Sequence, residues 1–175
     1  MSEVHMDIGA VLKDLEILDV QGRPEGEVSS ICYDSRKCGP GSLFVAVGGL
    51  KVDGHDFIPE AAARGAKFIL HDRPFAAGPG LFAARVRDSR RSLGIAGRNF
   101  YGHPSSRLPL IAVIGTNGKT TVTYLLEAIL AAAGFQPGVI GTVNYRYGGR
   151  ILAASHTTPE SLDFQRILAE MLRDG

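Results

Sequence analysis

Seven consecutive residues in the second half of the chain, Gly115-Thr116-Asn117-Gly118-Lys119-Thr120-Thr121, combine the residue types that a bound phosphate requires. Glycines let the backbone wrap closely round an anion, with N–H groups pointing inward. A helix opening at Lys119 adds the partial positive charge of its N-terminus. Lys119 supplies a full positive charge to β- and γ-phosphates, and the Thr120 hydroxyl is placed to ligate Mg²⁺. The general phosphate-loop pattern has a glycine five residues before Gly118, where this chain has Val113. Here the glycine stands three residues before, so the loop is a shorter variant. An apolar run, a glycine, Gly-Lys-Thr and an amphipathic helix fall in order, which separates the segment from a plain glycine-rich turn. Gly115, Thr116, Asn117, Gly118, Lys119, Thr120 and Thr121 are therefore expected to bind the phosphates of ATP, with Thr120 as a metal ligand.

The elements around this loop follow from apolar spacing. Leu110–Ile114 reads as a buried strand of a parallel sheet. The next helix carries Val122, Leu125, Leu126, Ile129, Leu130 and Ala133 on one face and stops at Gly134. Val139-Ile140 begins another strand, and the strand–helix–strand unit should be right-handed. A last helix is expected from about Pro159, burying Phe164, Ile167, Leu168 and Met171. Upstream, strands are expected at Val28–Asp34, Ser42–Val47, Lys67–Leu70 and Leu81–Val86. A short helix runs from Phe57 to Arg64, with Pro59 in its first turn and Gly65 at its end. Asp88 offers an N-cap to a helix with Leu93, Ala96, Gly97 and Phe100 at helical spacing. The turn-rich Gly102–Pro109 stretch is the expected linker. The fold class is α/β: a small mixed α/β domain over residues 1–107, then the start of a P-loop parallel-sheet domain over residues 108–175. The region from Leu110 supplies too few strands for a sheet covered on both faces, so the chain is expected to be the N-terminal part of a longer enzyme.

The 175 residues are 45% hydrophobic and 21% charged with a net charge of +1, which excludes a disordered tail and a general electrostatic nucleic-acid binder. No apolar run is long enough for a membrane span. The N-terminus lacks the basic start and apolar core of a signal peptide, so the chain is read as cytoplasmic. Cys32 and Cys38 fit no common zinc or redox spacing and are expected to stay reduced. His5, His55, His71 and His103 show no metal-ligand spacing and read as surface or capping residues. Arg90, Arg91 and Arg98 read as the solvated face of a helix.

The loop from Gly115 to Thr121 resembles the ATP loop of the Mur ligases, which build the peptidoglycan stem peptide; folylpolyglutamate and cyanophycin synthetases have related loops. Tyr33-Asp34-Ser35-Arg36, Gly39–Val47 and Asp53-Gly54 resemble the N-terminal, UDP-binding domain of Mur ligases. In the MurE class the serine of Asp-Ser-Arg contacts the UDP-sugar substrate, which implies that role for Ser35. Tyr33 and the loop Leu50-Lys51-Val52 match further substrate-binding positions. Taken alone, Asp34-Ser35-Arg36 reads as a polar strand end or Asx-type turn. His156-Thr157-Thr158-Pro159-Glu160-Ser161 is similar to the MurE segment whose paired threonines hold the muramoyl peptide. That likeness implies substrate contacts for Thr157 and Thr158, and for His156, where relatives often have asparagine. The same residues allow a helix start, with Thr158 as N-cap and Thr157 and Glu160 as a capping box. Gly141-Thr142-Val143-Asn144-Tyr145 also looks MurE-like and is expected to line the cleft. The resemblance spans the chain from about Val28 to Met171.

This resemblance implies an ATP-dependent amide ligase of peptidoglycan synthesis, in cell-wall biogenesis and cell division. It would add the third amino acid, diaminopimelate or lysine, to UDP-N-acetylmuramoyl-L-Ala-D-Glu through an acyl phosphate. ATP and Mg²⁺ are the implied cofactors, with Lys119 the catalytic lysine that offsets repulsion between the two anions. The implied partners are the UDP-muramoyl dipeptide and an amino-acid co-substrate, which a third domain outside this chain selects and binds. No nucleic acid or membrane span is implied, and a monomer is expected. Family members bring a further Mg²⁺-binding glutamate, a histidine and a carbamylated lysine from later in the central domain. The polypeptide alone is accordingly expected to be inactive, while residues 1–107 keep UDP-ligand binding. The alternatives are a ligase of the MurF class, against which the His156-Thr-Thr-Pro segment argues, and a non-catalytic UDP-sugar or nucleotide-binding module. A GTPase is disfavoured because no Asn-Lys-x-Asp segment occurs.

Overall fold

The computed structural model describes residues 5–49, 52–154 and 158–175. Its contacts divide the chain into two units, Met1–Gly102 and His103–Gly175.

The first unit contains β1 (Met6–Asp7), α1 (Ile8–Val11), β2 (Ile17–Gln21), β3 (Glu27–Val28), β4 (Ile31–Cys32), β5 (Leu43–Val45), α2 (Ile58–Ala63), β6 (Phe68–His71), β7 (Phe82–Val86) and α3 (Ser89–Phe100). Its main sheet has the order β2-β7-β6-β5-β4. β4 to β7 run parallel to their neighbours, and β2 closes one edge antiparallel to β7. Leu43, Phe44, Val45, Phe68, Ile69 and Leu70 are buried along their whole runs, as strands covered on both faces must be. The strand expected over Val28–Asp34 is instead broken in two. The Ser29 and Ser30 backbones bond across to Gly41 and Leu43, and the Ser29 hydroxyl donates to the Pro40 carbonyl. The polar pair therefore turns the chain, so that β3 pairs with β1 and β4 joins the main sheet.

The helices start and stop for local reasons. The Asp88 carboxylate accepts the Arg91 N–H at 2.9 Å and caps α3, whose Leu93, Ala96, Gly97 and Phe100 are buried as their spacing predicts. Gly65 ends the α2 segment with φ +102°, and a Cβ there would lie 2.9 Å from Pro40 Cα, so only glycine fits. Two expectations about side chains are corrected. Arg98 is no solvated arginine: it reaches Asp14 at 2.9 Å and the Asn99 amide oxygen. Cys32 and Cys38 are joined as a disulfide, because a 3-10 turn over Ser35–Lys37 folds the intervening residues back and sets their Cα atoms 5.9 Å apart.

The second unit contains a 3-10 turn at Pro104–Ser106, α4 (Lys119–Ala132), β8 (Val139–Ile140), β9 (Asn144–Tyr147), β10 (Arg150–Ala153) and α5 (Ser161–Asp174). The three strands form an antiparallel sheet in the order β10-β9-β8. Gly148 and Gly149 both take positive φ, which suits the tight turn between β9 and β10. Ile167 of α5 packs on Tyr145 and Tyr147, with Ile140 and Met171 alongside. The Arg146 guanidinium bonds Glu127 and lies 4.1 Å from the centre of the Tyr124 ring, which holds α4 to the hairpin.

Leu110–Ile114 is not among the strands of this unit, contrary to expectation, and Ile111 and Ile114 are 64% and 93% exposed. A parallel strand needs a hydrogen-bonded neighbour, and β8 bonds β9 instead. The apolar face of α4 is also uncovered, with Leu125 and Ile129 58% and 63% exposed. The 3.6-residue period fixes which residues share a face, but burial requires a second element against it. Among the described residues no helix is long and apolar enough to cross a membrane.

The buried Asn99 amide donates to the carbonyls of Val11 and Lys13 at 3.0 and 2.7 Å, closing the end of α1 onto α3. Asn99→Ala leaves both carbonyls without that donor and is expected to destabilise the first unit by about 1–3 kcal/mol. Urea unfolding monitored by circular dichroism would show this as a lower midpoint at unchanged slope.

Candidate functional site

The phosphate loop lies where an anion can reach it. Gly118 occupies the N-cap position of α4 in the left-handed conformation, at φ +77°, and provides no side-chain cap. No acid lies in the first turn. By contrast Asp7, Asp88 and Glu160 each place a carboxylate on the N–H groups that open α1, α3 and α5. The Lys119 ammonium curls back over the loop, donating to the Gly115 carbonyl at 2.6 Å and the Thr116 carbonyl at 3.3 Å. Thr120 is exposed beside it. An uncapped helix N-terminus, a lysine held over the loop and a hydroxyl at the second helical residue suit a nucleotide phosphate with one hydroxyl ligand for its cation.

In the first unit the predicted substrate residues sit beyond the carboxyl ends of adjacent parallel strands. Tyr33 and Ser35 follow β4 and Val52 follows β5, while Leu50 and Lys51 lie outside the described residues. Ligands of open parallel sheets bind at this edge. Ser35 is buried, and its hydroxyl donates to Glu60 at 2.8 Å, which leaves oxygen lone pairs to accept from a ligand. Asp34 accepts the Arg36 N–H at 3.1 Å and its guanidinium at 2.9 and 2.8 Å, so the Asx-turn reading of Asp34-Ser35-Arg36 also holds. A cavity of about 390 Å³ beside Pro40, Gly65, Lys67 and Leu81 lies before the amino ends of β6 and β7, away from these residues.

Next to the β5 loop stands a network that residue spacing did not reveal. Asp53 accepts the His55 N–H at 3.1 Å, lies 2.6 Å from His55 Nδ1 and pairs with Arg73. His55 Nε2 lies 3.2 Å from an Asp72 carboxylate oxygen. His55 and His71 are therefore packed into the fold, not surface residues. The available signal was Asp53-Gly54-His55, an aspartate two residues before a histidine, which suits an Asx turn. Arg90, expected in solvent, donates to the Gly48 carbonyl at 3.3 Å.

These contacts set the charge states at the edge. The Asp53 carboxyl titrates below its ordinary value, first because His55 hydrogen-bonds it. Glu60 is lowered by the Ser35 hydroxyl and then by Arg64, and Asp34 by Arg36. Burial lowers His71, opposed by its bond to the Arg73 carbonyl.

The third group of predicted residues is only partly described. His156 and Thr157 lie outside the described residues. Thr158 is exposed and does not cap the last helix. Glu160 takes that place: it is extended, and its carboxylate accepts the N–H of Ser161, so α5 starts two residues beyond Pro159. Tyr145 of the Gly141–Tyr145 segment is buried against α5, while Thr142 and Val143 are exposed.

Comparison with known families decides the wider assignment. Residues 27–101 match the model described as "Mur ligase family, catalytic domain", and residues 113–175 match "Mur ligase middle domain". The chain belongs to the Mur ligase family. Among curated Mur ligases it is 41% identical, over 90% of its length, to a UDP-N-acetylmuramoyl-L-alanyl-D-glutamate–2,6-diaminopimelate ligase of Caldanaerobacter subterraneus, covering 33% of that protein. It is 38% identical, over 97% of its length, to the protein of the same name in Clostridium perfringens, covering 35% of it. The chain thus spans about a third of the length of these relatives. A solved structure of a ligase of that name superposes with TM-score 0.73 at 22% identity, over 98% of this chain and 34% of its own. MurF from Acinetobacter baumannii gives 0.61 at 23% identity, over 95% and 33%. The structural likenesses show a shared mixed α/β fold with a mostly parallel sheet.

Acid should loosen the first unit of this Mur ligase in two stages. His71 titrates below 6.5 in the fold, so its stabilising contribution is full above that value and falls as pH drops below it. Asp34, Asp53 and Glu60 titrate below their ordinary 3.8, 3.8 and 4.5, so theirs is full above those values and is lost as pH falls through the lowered ones. Melting temperatures followed from pH 8 to pH 3 are expected to fall first below about pH 6.5 and again below about pH 4. Asp53→Asn should flatten the second fall.

Proposed function

We propose that this chain carries the UDP-ligand and ATP-phosphate sites of a Mur ligase of the MurE class. That enzyme joins the third amino acid to UDP-N-acetylmuramoyl-L-Ala-D-Glu. Residues 1–107 would bind the UDP-muramoyl dipeptide through Tyr33 and Ser35, and residues 108–175 would begin the ATP-binding domain. The observation that carries the reading is the uncapped N-terminus of α4 with Lys119 held over Gly115 and Thr116. Gly115, Thr116, Asn117, Gly118, Lys119, Thr120 and Thr121 would cradle the phosphates of ATP. Thr120 would supply one oxygen ligand to Mg²⁺, which neutralises phosphate charge when bound. The relatives' names favour the MurE class over MurF, and diaminopimelate over lysine as the added amino acid. His156, Thr157 and Thr158 are assigned to the muramoyl peptide on the family likeness alone.

The chemistry follows from charge. A substrate carboxylate must approach the γ-phosphate of ATP, and both are anions. Lys119 and the inward N–H groups of the loop lower the cost of that encounter. The resulting acyl phosphate would then be opened by the amine of the incoming amino acid, with release of phosphate. We place this activity in the cytoplasm, in peptidoglycan synthesis, with a monomeric protein.

Isothermal titration calorimetry tests the reading on the 175-residue chain. Mg-ATP is expected to bind, and Lys119→Ala to weaken it at least tenfold, about 1.4 kcal/mol. The affinity for UDP-N-acetylmuramoyl-L-Ala-D-Glu should be unchanged in that variant. That ligand should also bind far more tightly than uridine; equal affinities would leave a general nucleotide-binding module instead.

A further inference from the structure

The disulfide between Cys32 and Cys38 encloses the residues to which the UDP ligand is assigned. Cys32 is the last residue of β4, and Cys38 follows the 3-10 turn Ser35–Lys37, so Tyr33 and Ser35 lie inside the closed ring. Bonds within the ring give it shape. The Lys37 N–H donates to the Asp34 carbonyl at 2.9 Å, the Cys38 N–H to the Ser35 carbonyl at 3.1 Å, and Asp34 accepts from Arg36. Such bonds fold the turn but do not tie it to the sheet. The Ser35 hydroxyl ties it to Glu60 of α2, a partly exposed partner, and the disulfide ties its far end back to β4.

Both cysteines are buried, in the apolar cluster of Phe44, Ile58 and Ile69. A dithiol reductant would transfer two electrons and two protons to the pair. Its thiolate attacks one sulfur, the S–S bond breaks, and the other sulfur leaves as a thiolate and takes up a proton. The second thiol of the reagent then closes its own disulfide and frees the first cysteine. Each thiol so formed has a backbone acceptor in reach. The Leu43 carbonyl lies 3.6 Å from Cys32 Sγ, and the Asp34 carbonyl 3.8 Å from Cys38 Sγ. The fold therefore accommodates both redox forms, but not with the turn in one place. Unbonded sulfurs must separate to van der Waals contact. Cys32 is fixed in the ladder opposite Phe44, so Cys38 and the turn before it move out.

We propose that the Cys32–Cys38 disulfide is a positioning element for the UDP ligand, and that its reduction releases the turn carrying Tyr33 and Ser35 and weakens binding there. This rests on the proposed function, which assigns the UDP ligand to these two residues. A ring closed by a covalent bond has little freedom left to lose when a ligand docks, so the gain appears in affinity. The phosphate loop belongs to the other unit and contains neither cysteine, so ATP binding does not share this sensitivity.

Calorimetry on the full chain tests this with UDP-N-acetylmuramoyl-L-Ala-D-Glu and Mg-ATP, each titrated into the oxidised protein and into protein reduced with excess dithiothreitol. A thiol-reactive chromophore confirms the two forms, and circular dichroism confirms that both are folded. Reduction is expected to weaken the UDP ligand about tenfold and to leave the affinity for Mg-ATP unchanged. Cys38→Ala should bind the UDP ligand as the reduced wild type does and should not respond to dithiothreitol. If that variant does not fold, the two forms of the wild type decide the matter alone. Equal affinity of both forms for the UDP ligand, or tighter binding by the reduced one, overturns the inference. So does a chain whose thiols neither air nor oxidised glutathione can join. A parallel loss of both ligands, or unfolding on reduction, also overturns it, because the disulfide would then be merely structural. A chain that binds Mg-ATP but takes up the UDP ligand in neither form would instead overturn the proposed site itself, and this inference with it.

Discussion

Two strands can pair in parallel only if the chain returns to its starting side between them. In the first unit this happens three times in succession, from β4 to β5, β6 and β7. Every carboxyl end is thereby sent to one edge of the sheet. Ser35 follows β4, the bridged pair of Gly48 and Asp53 follows β5, Asp72 and Arg73 follow β6, and Asp88 follows β7. Residues far apart in sequence come together there because the hydrogen-bond direction leaves them nowhere else to go. The burial of Leu43–Val45 and Phe68–Leu70 stabilises this pairing, and the polar edge depends on it.

The parts of this fold that were legible in the sequence are those with local causes. β5, β6 and β7 are short apolar runs between glycines and polar residues, and their limits come within a residue or two of the observed strands. Asp88 announces α3 because an N-cap and the N–H it accepts lie within one turn. The phosphate loop was legible for the same reason, its glycines and lysine being consecutive. What escaped were the contacts made by distance. Nothing in the spacing of His55 and Asp72, or of Asp14 and Arg98, marks them as partners. The disulfide escaped because its Cα separation depends on a 3-10 turn that six residues of sequence do not announce. The cap of α5 falls on Glu160 and not on Thr158 because both side chains can accept an N–H at a helix start, and local competition between them is decided by small energies.

Leu110–Ile114 and α4 show a different limit. Their apolar pattern states what they could bury, and no strand or helix among the described residues of the second unit covers them fully. A strand is a relation between segments, so an apolar run without a neighbour has no ladder to join. Helices differ, since their hydrogen bonds are internal. α4 forms with its apolar face exposed, aided by Ala-, Leu- and Ile-rich turns and by the Arg146–Glu127 link.

The N-termini of α3 and α4 are closed in opposite ways. α3 ends its N-terminus with its own anion, Asp88, and a further carboxylate, Asp72, on the Ser89 N–H. α4 has a glycine at the same position and a lysine after it. An exogenous anion at α3 would have to displace carboxylates tethered to the protein. At α4 it would displace only the bonds of the Lys119 ammonium to two exposed loop carbonyls, and such exposed bonds contribute little because water replaces them. The choice of residue at the cap thus decides which helix stays closed upon itself and which is left to be completed by a phosphate.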